Sequence, residues 1–255
     1  MIVHVFVTTH NEELMMAWFL RYYGEHADRI FVLDDASTDR TREIVQACPK
    51  ATLLDYPYAN GLADGTCGLH DDISAALDEA VLRHSKGTAN WALTPDCDEF
   101  IYHPAGLRSR LTLAQERGLR VLGSEGYMMV ADDAPRTGTV TDEQLHDLVK
   151  RGVRASHGHK QTYDKTLVFD PTLGLKLGPG RHTARWAENV PLGNVGLKLL
   201  HYCWLGEAYI RERVARNHGR MLGVAEETRQ AMADYRIRRA LHSYRSAQRS
   251  AAPIL

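Results

Sequence analysis

Three times in its first ninety residues this chain runs an apolar, β-branched segment into a polar cluster and then into a helical pattern, and that rhythm constrains the fold more than any other feature. Ile2-Val3-His4-Val5-Phe6-Val7 is a near-continuous apolar run of the kind buried on both faces of a parallel sheet. It ends in Thr8-Thr9-His10-Asn11-Glu12-Glu13, after which Leu14, Ala17, Trp18, Arg21 and Tyr22 fall at helical spacing as far as Gly24, a candidate helix stop. Ile30-Phe31-Val32-Leu33 leads through Asp34-Asp35-Ala36-Ser37-Thr38-Asp39, which carries capping residues, to a helix with Ile44 and Val45 that Pro49 stops. Ala51-Thr52-Leu53-Leu54 passes through the Gly-rich residues 60–68 to a helix with Ile73, Ala76, Leu77, Ala80 and Val81 on one face, and Trp91-Ala92-Leu93 follows. Four strands alternating with three helices predict an α/β fold, an open and mostly parallel sheet flanked by helices. Ligands of such sheets bind beyond the carboxyl ends of the strands, where strand order reverses.

The polar clusters sit at those ends. Thr94-Pro95-Asp96-Cys97-Asp98-Glu99-Phe100 places two aspartates two residues apart after the fourth strand. Paired carboxylates offer hard oxygen donors to Mg²⁺ or Mn²⁺ carrying a diphosphate. No Gly-x-Gly-x-x-Gly follows the first strand and no Gly-x-x-x-x-Gly-Lys-Ser/Thr occurs, so neither a dinucleotide fold nor a P-loop is indicated. A nucleotide would therefore be held by carboxylates, amides and the metal, with Asp34 or Asp35 accepting hydrogen bonds from a base or ribose edge.

The second half is less regular. Residues 123–133 read as a strand entering the acidic turn Asp132-Asp133; Asp132 and Asp133 are candidate catalytic carboxylates and Glu125 a further contender. Lys165 to Pro171 reads as an edge-like strand, and Gly178-Pro179-Gly180-Arg181-His182-Thr183 as a turn presenting Arg181 and His182. Residues 195–204 form an apolar strand expected to end at His201. From Glu207 to Arg249 the pattern is helical and rich in arginine, as for two packed helices with solvated faces, and residues 250–255 are expected to fray.

With 255 residues, 44% apolar and 25% charged, the chain can bury one full core plus elaborations. A formal net charge of −1 gives no general attraction to nucleic acid. No apolar run approaches the ~20 residues that span a bilayer, and no cleavable leader is evident, so a cytoplasmic location is expected. Cys48, Cys67, Cys97 and Cys203 are scattered, without a Cys-x-x-Cys pair, and read as buried thiols.

Taken together, Val-Thr-Thr-His-Asn-Glu-Glu at 7–13, Leu-Asp-Asp-Ala-Ser-Thr-Asp-Arg-Thr at 33–41 and Asp-Cys-Asp-Glu-Phe at 96–100 resemble the nucleotide-sugar-binding half of GT-A fold glycosyltransferases of the family 2-like group. Asp98-Glu99-Phe100 is similar to a variant in its small bacterial branch. The resemblance spans residues 1–205 and is strongest over the first hundred. It implies a GT-A-like catalytic domain at 1–205, with a nucleotide-sugar half at 1–104 and an acceptor half at 105–205, followed by a helical extension at 206–255. It also implies that Thr8, Asn11 and Glu13 line the nucleotide pocket, that Asp34 or Asp35 contacts the base or ribose, and that Asp96 and Asp98 serve the metal and diphosphate. His201 is the matching candidate for a histidine ligand to the metal, with His182 its rival. Arg181, and with less support Lys165, would offset the charge of the leaving diphosphate.

The implied activity is transfer of a sugar from a UDP- or GDP-sugar to a hydroxyl acceptor, dependent on Mn²⁺ or Mg²⁺, with inversion. The Gln-x-x-Arg-Trp signature of processive polysaccharide synthases is missing, so a non-processive enzyme is expected. Two alternatives are an Asp-x-Asp phosphohydrolase, with Asp96 as nucleophile and Asp98 as acid and base, and an inactive nucleotide-sugar-binding module. The arginine-rich helices add a potential contact to an acceptor cleft or to anionic lipid.

Overall fold

The computed structural model describes residues 1–54, 56, 70–135, 143–154, 163–174, 176–178, 183–186, 190–219 and 225–255. The Gly-rich residues 60–68, Cys67 and the Arg181-His182 turn lie outside them.

Four strands form the parallel half of the sheet: β1 (Val3–Thr9), β2 (Arg29–Asp34), β3 (Ala51–Leu54) and β4 (Trp91–Leu93). They lie in the order β3-β2-β1-β4, with Val5 of β1 opposite Ile30 on one side and Leu93 on the other. Helices α1 (Glu13–His26), α2 (Thr41–Gln46) and α3 (His70–Ser85) connect them. Strand alternation sorts β1 between two cores: Val3, Val5 and Val7 pack on the α1 side with Met15, Trp18 and Phe19, whereas Phe6 packs with Phe31, Ala76 and Leu77 on the α3 side. Helix α1 continues through Gly24, because apolar residues on both sides of that position keep it packed, and ends at Ala27, whose N–H bonds the Tyr23 carbonyl at 2.7 Å.

Beyond β4 the sheet becomes mixed. It holds β5 (Glu99–Tyr102), β6 (Val121–Ala131), β7 (Arg151–Val153), β8 (Lys165–Phe169), β11 (Lys198–Leu205) and β12 (Ala252–Pro253), with β9 (Lys176–Leu177) and β10 (Ala184–Arg185) as a separate hairpin pair. Helices α4 (Leu107–Glu116), α5 (Leu145–Leu148), α6 (Glu207–Gly219) and α7 (Glu226–Ser250) complete the fold. The main path continues β4-β8-β6-β7-β12, while β11 lies parallel to β6 and antiparallel to β5.

Three expectations are corrected here. Strand β8 is internal, inserted antiparallel between β4 and β6, because Leu167, Val168 and Phe169 all find buried neighbours. Strand β11 runs four residues past His201, since Tyr202, Cys203, Trp204 and Leu205 are all buried. The C-terminal residues do not fray: Ala252 and Pro253 pair with β7, and Lys198 Nζ donates to the Ile254 carbonyl at 2.7 Å. What does match is the class, an α/β fold with a mostly parallel central sheet, flanking helices and a helical C-terminal extension.

Candidate functional site

The chain moves from β1 to β2 to β3 in one direction across the sheet, and β4 lies on the other side of β1. Strand order therefore reverses between β1 and β4, and the carboxyl ends of these two strands face the crevice where open α/β sheets bind ligands. The loops that issue there are Thr9 to Glu12 and Thr94 to Asp98.

Asp98 is the centre of one end. It is buried, and its Oδ2 lies 3.2 Å from His201 Nε2 and 2.5 Å from Arg213 Nη2. Its backbone carbonyl accepts from Tyr202 N–H at 2.8 Å, which locks it to β11. Burial would raise its pKa, but the Arg213 guanidinium and then His201 hold the carboxyl far below the usual range, so it stays ionised. For His201, burial opposes the imidazolium, while Cys203 and Asp98 together move it up to about 10. The His201 ring stacks on Tyr163 at 4.4 Å between centroids, and Tyr163 can sit there because position 126 is glycine: a Cβ on Gly126 would lie 2.0 Å from the Tyr163 carbonyl oxygen.

Glu99, the third acid of the motif, has a different task. It is fully buried; its Oε1 accepts from Lys165 Nζ at 2.6 Å and from Tyr163 Oη at 2.7 Å, and its Oε2 accepts from Asp96 N–H at 3.0 Å. Lys165 also reaches Asp96 Oδ2 at 3.2 Å. It is buried between two carboxylates and fixes the shape of the loop that carries the aspartates. From α6, Arg216 Nη2 donates to Glu12 Oε1 at 2.7 Å. Burial lifts the Glu12 carboxyl to about 7 despite that guanidinium.

Glu13, which the resemblance implies lines the nucleotide pocket, opens α1 directly after Glu12. Glu13 is exposed and its Oε2 accepts from Arg40 N–H at 3.2 Å, whereas Glu12 turns into the crevice. Arg213 and Arg216 were two among ten arginines of the C-terminal segment; the signal that singles them out is that Tyr209, Ile210, Arg213 and Arg216 share the inward face of α6.

The other end of the crevice is built locally. Asn11 adopts a left-handed conformation with φ 51°, and its Oδ1 accepts from Thr38 N–H at 2.6 Å and Asp39 N–H at 3.2 Å. Its own N–H donates to Ser37 Oγ at 2.8 Å. These bonds clamp the β1–α1 loop onto the β2–α2 loop. Thr8 is half-buried near the end of β1. Asp34 is buried at the end of β2; its Oδ2 accepts from Arg42 Nη1 at 2.6 Å, and its Oδ1 is a buried acceptor with no partner among the described residues. Asp35, also buried, lends its carbonyl to His10 Nδ1 at 2.5 Å.

Of the candidate bases, Glu125 is not brought to this crevice. It pairs with Lys198 on the opposite face of the pleat from His201, where Tyr127 Oη donates to it at 3.0 Å and Arg154 lies 3.7 Å away. Asp132 and Asp133 follow β6, which runs parallel to β4 and extends nine residues past Leu122, the residue level with Leu93 at the β4 end. Asp132 Oδ1 accepts from Gln248 Nε2 of α7 at 2.9 Å; Asp133 is exposed.

Among the described residues, no three His, Cys, Asp or Glu side chains form a group that would hold a metal ion. Asp98 nonetheless offers Mn²⁺ or Mg²⁺ a carboxylate when substrate phosphates supply further ligands, and His201 would join it as a nitrogen donor to Mn²⁺ only after giving up the proton that its raised pKa holds. The donor set fits an ion that arrives with a diphosphate and does not fit one caged by protein alone.

Comparison with family models and with curated proteins found no match. Among solved structures, glucosyl-3-phosphoglycerate synthase from Mycobacterium tuberculosis, crystallised with Mn²⁺, UDP and glucosyl-3-phosphoglycerate, is 17% identical at a TM-score of 0.34, over 50% of this chain and 44% of that one. Mannosyl-3-phosphoglycerate synthase from Rubrobacter xylanophilus is 18% identical at 0.34, over 51% and 40%. A mycobacterial protein without a stated activity is 15% identical at 0.42, over 88% and 76%. This chain spans less than half the length of both synthases, and all three likenesses are too distant to bear on substrate or mechanism. No helix among the described residues is long and apolar enough to cross a membrane.

Proposed function

We propose that the β1/β4 crevice binds the nucleoside diphosphate of a sugar nucleotide and that the chain is a GT-A-like glycosyltransferase acting on a hydroxyl acceptor. The observation that carries this reading is the division of labour along one crevice: a buried acceptor with no partner among the described residues, Asp34 Oδ1, at one end, and the ionised Asp98 with His201, Arg213 and Arg216 at the other. The first suits an N–H or O–H of a base or ribose. The second suits an anion whose charge grows as a bond breaks.

In this reading Asp98 and His201 would hold a divalent Mn²⁺ or Mg²⁺ ion, with Asp96 reaching it through water, and the ion would neutralise the leaving diphosphate. Arg213 lies against Asp98 and would reach a diphosphate oxygen with the other arm of its guanidinium fork. Asp133 is the preferred base, since it is exposed while Asp132 is engaged by Gln248. Inversion, a UDP- or GDP-sugar as donor and single transfers in place of polymerisation complete the proposal.

The phosphohydrolase alternative needs Asp98 to donate a proton. A carboxyl held ionised by Arg213 and His201 is a poor acid, so the transferase is favoured. A thermal-shift panel of nucleoside diphosphates and sugar nucleotides, with Mn²⁺ or with EDTA, tests the reading, because a ligand that binds only the folded chain stabilises it by mass action. A metal-dependent upward shift with UDP or GDP is expected. No shift with any member of the panel would defeat it.

A further inference from the structure

We propose that the groove between α6 and α7 is a second anion site, separate from the β1/β4 crevice, that takes a phosphate monoester. A cavity of about 430 Å³ lies there, lined by Arg211 of α6 and by Arg238, Leu241, His242, Arg245 and Arg249 of α7. Positions 238, 242, 245 and 249 recur at helical spacing and form one stripe, with the buried Leu241 as an apolar floor.

Like charges at that spacing repel one another, so the stripe is costly by itself. The acid that answers it is Glu207, which bonds Arg245 at 2.6 Å and lies 3.9 Å from Arg211. Arg238 and Arg249 meet no acidic side chain among the described residues. Among the described residues, four guanidiniums and an imidazole thus line the groove, and one carboxylate, Glu207, answers two of them. A general excess of base does not explain it, since the whole chain carries 31 Lys and Arg against 32 Asp and Glu.

The choice of residue points the same way. Between Glu207 and Ser250 every basic side chain other than histidine is arginine, with no lysine. A guanidinium offers a planar fork that grips two phosphate oxygens, which an ammonium cannot do. The volume exceeds that of a bare phosphate and is in the range of small-molecule pockets. Arg211 is two residues from Arg213, roughly 200° around the helix, so α6 turns one arginine to this groove and the next to Asp98. The groove is therefore backed onto the crevice and does not open into it, and the inference stands whether or not the crevice binds a sugar nucleotide.

A free phosphorylated compound and a lipid headgroup present the same chemistry, and two binding arms distinguish them. The first is calorimetric titration of the full chain with inorganic phosphate. The second is cosedimentation with phosphatidylcholine vesicles containing phosphatidic acid, against phosphatidylcholine alone. Each is run on the wild type, on Arg238→Gln/Arg249→Gln, and on Arg236→Gln/Arg239→Gln, which removes the same charge from neighbouring faces of α7. Removing two charge-assisted contacts should weaken binding about tenfold or more in the groove variant and leave the control near wild type. Loss confined to the phosphate arm identifies a free ligand, and loss confined to the vesicle arm a headgroup. Absence of binding in both arms, or equal loss in groove and control variants, overturns the proposal.

Discussion

The two ends of the crevice are assembled by different means. At the nucleoside end, Asn11, Ser37, Thr38 and Asp39 come from two adjacent loops of the parallel half and Arg42 from the first turn of α2, and their hydrogen bonds are mostly to backbone N–H groups. At the diphosphate end, Asp98 and Glu99 are met by Lys165, His201 and Arg213, side chains that arrive from β8, β11 and α6. The first end is a local clamp. The second is a buried charge network whose members depend on the whole C-terminal half being in place. Loss of one partner should therefore be felt as stability at the diphosphate end and as ligand affinity at the nucleoside end.

Glu99→Ala gives the largest expected effect, because it strands Lys165 in a buried site where, among the described residues, Asp96 is the one carboxylate left to answer it. Breaking a buried pair by removing one partner costs about 3–5 kcal/mol, readable as the midpoint of urea unfolding. A loss below about 1 kcal/mol would mean that Lys165 reaches solvent and that the two ends do not differ as described.

A smaller change is expected for Asp34→Ala. Its partner Arg42 is half-exposed and can be solvated, so stability should hardly move. Nucleotide affinity should fall about tenfold, the worth of one charge-assisted hydrogen bond, with its ion dependence unchanged. Wild-type affinity in this variant would place the base-reading acceptor elsewhere, with Asp35 next in line.

Asp78→Asn, outside both ends, gives the smallest shift and carries a definite sign. Burial raises the Asp78 carboxyl to about 6, against the Leu177 N–H and Lys176, which lower it. The folded chain thus holds this proton more tightly than the unfolded chain does. Stability falls as pH rises from the ordinary carboxylate range through 6, and the penalty is complete above it. Asparagine removes that penalty, so the variant should gain about 1 kcal/mol at pH 8, after allowance for partial exposure, and nothing near pH 3.5. A gain of equal size at both pH values would show that charge is not the cause.

Legibility in the sequence followed the same division. Strands β1 to β4 and helices α1 to α3 were readable because each is a short-range pattern closed by its own polar turn, and Asp96 and Asp98 were readable as a local pair. Glu12 and Glu13 look alike in the sequence, because one residue of rotation decides which carboxylate meets Arg216 and which meets the Arg40 N–H, and the turn geometry that sets it comes from the hydrogen bonds of Asn11. Lys165, Arg213 and Arg216 could not be placed, since their partners lie 66 to 204 positions away in the chain. The internal position of β8 is hidden for a related reason: Lys165 opens the segment with a charge, as an edge strand does, and its buried partners Asp96 and Glu99 lie more than 60 positions away.

The central claim is that the β1/β4 crevice is a diphosphate site organised around Asp98. Calorimetric titration of UDP and GDP into the wild type and Asp98→Asn, each in Mn²⁺ and in EDTA, tests it most directly. The account predicts that one of the two nucleotides binds the wild type far more tightly in Mn²⁺ than in EDTA, and that Asp98→Asn removes most of that difference, about 1.5–3 kcal/mol for a charged contact. Equal wild-type affinity in the two conditions, or an ion dependence that survives in Asp98→Asn, would contradict it.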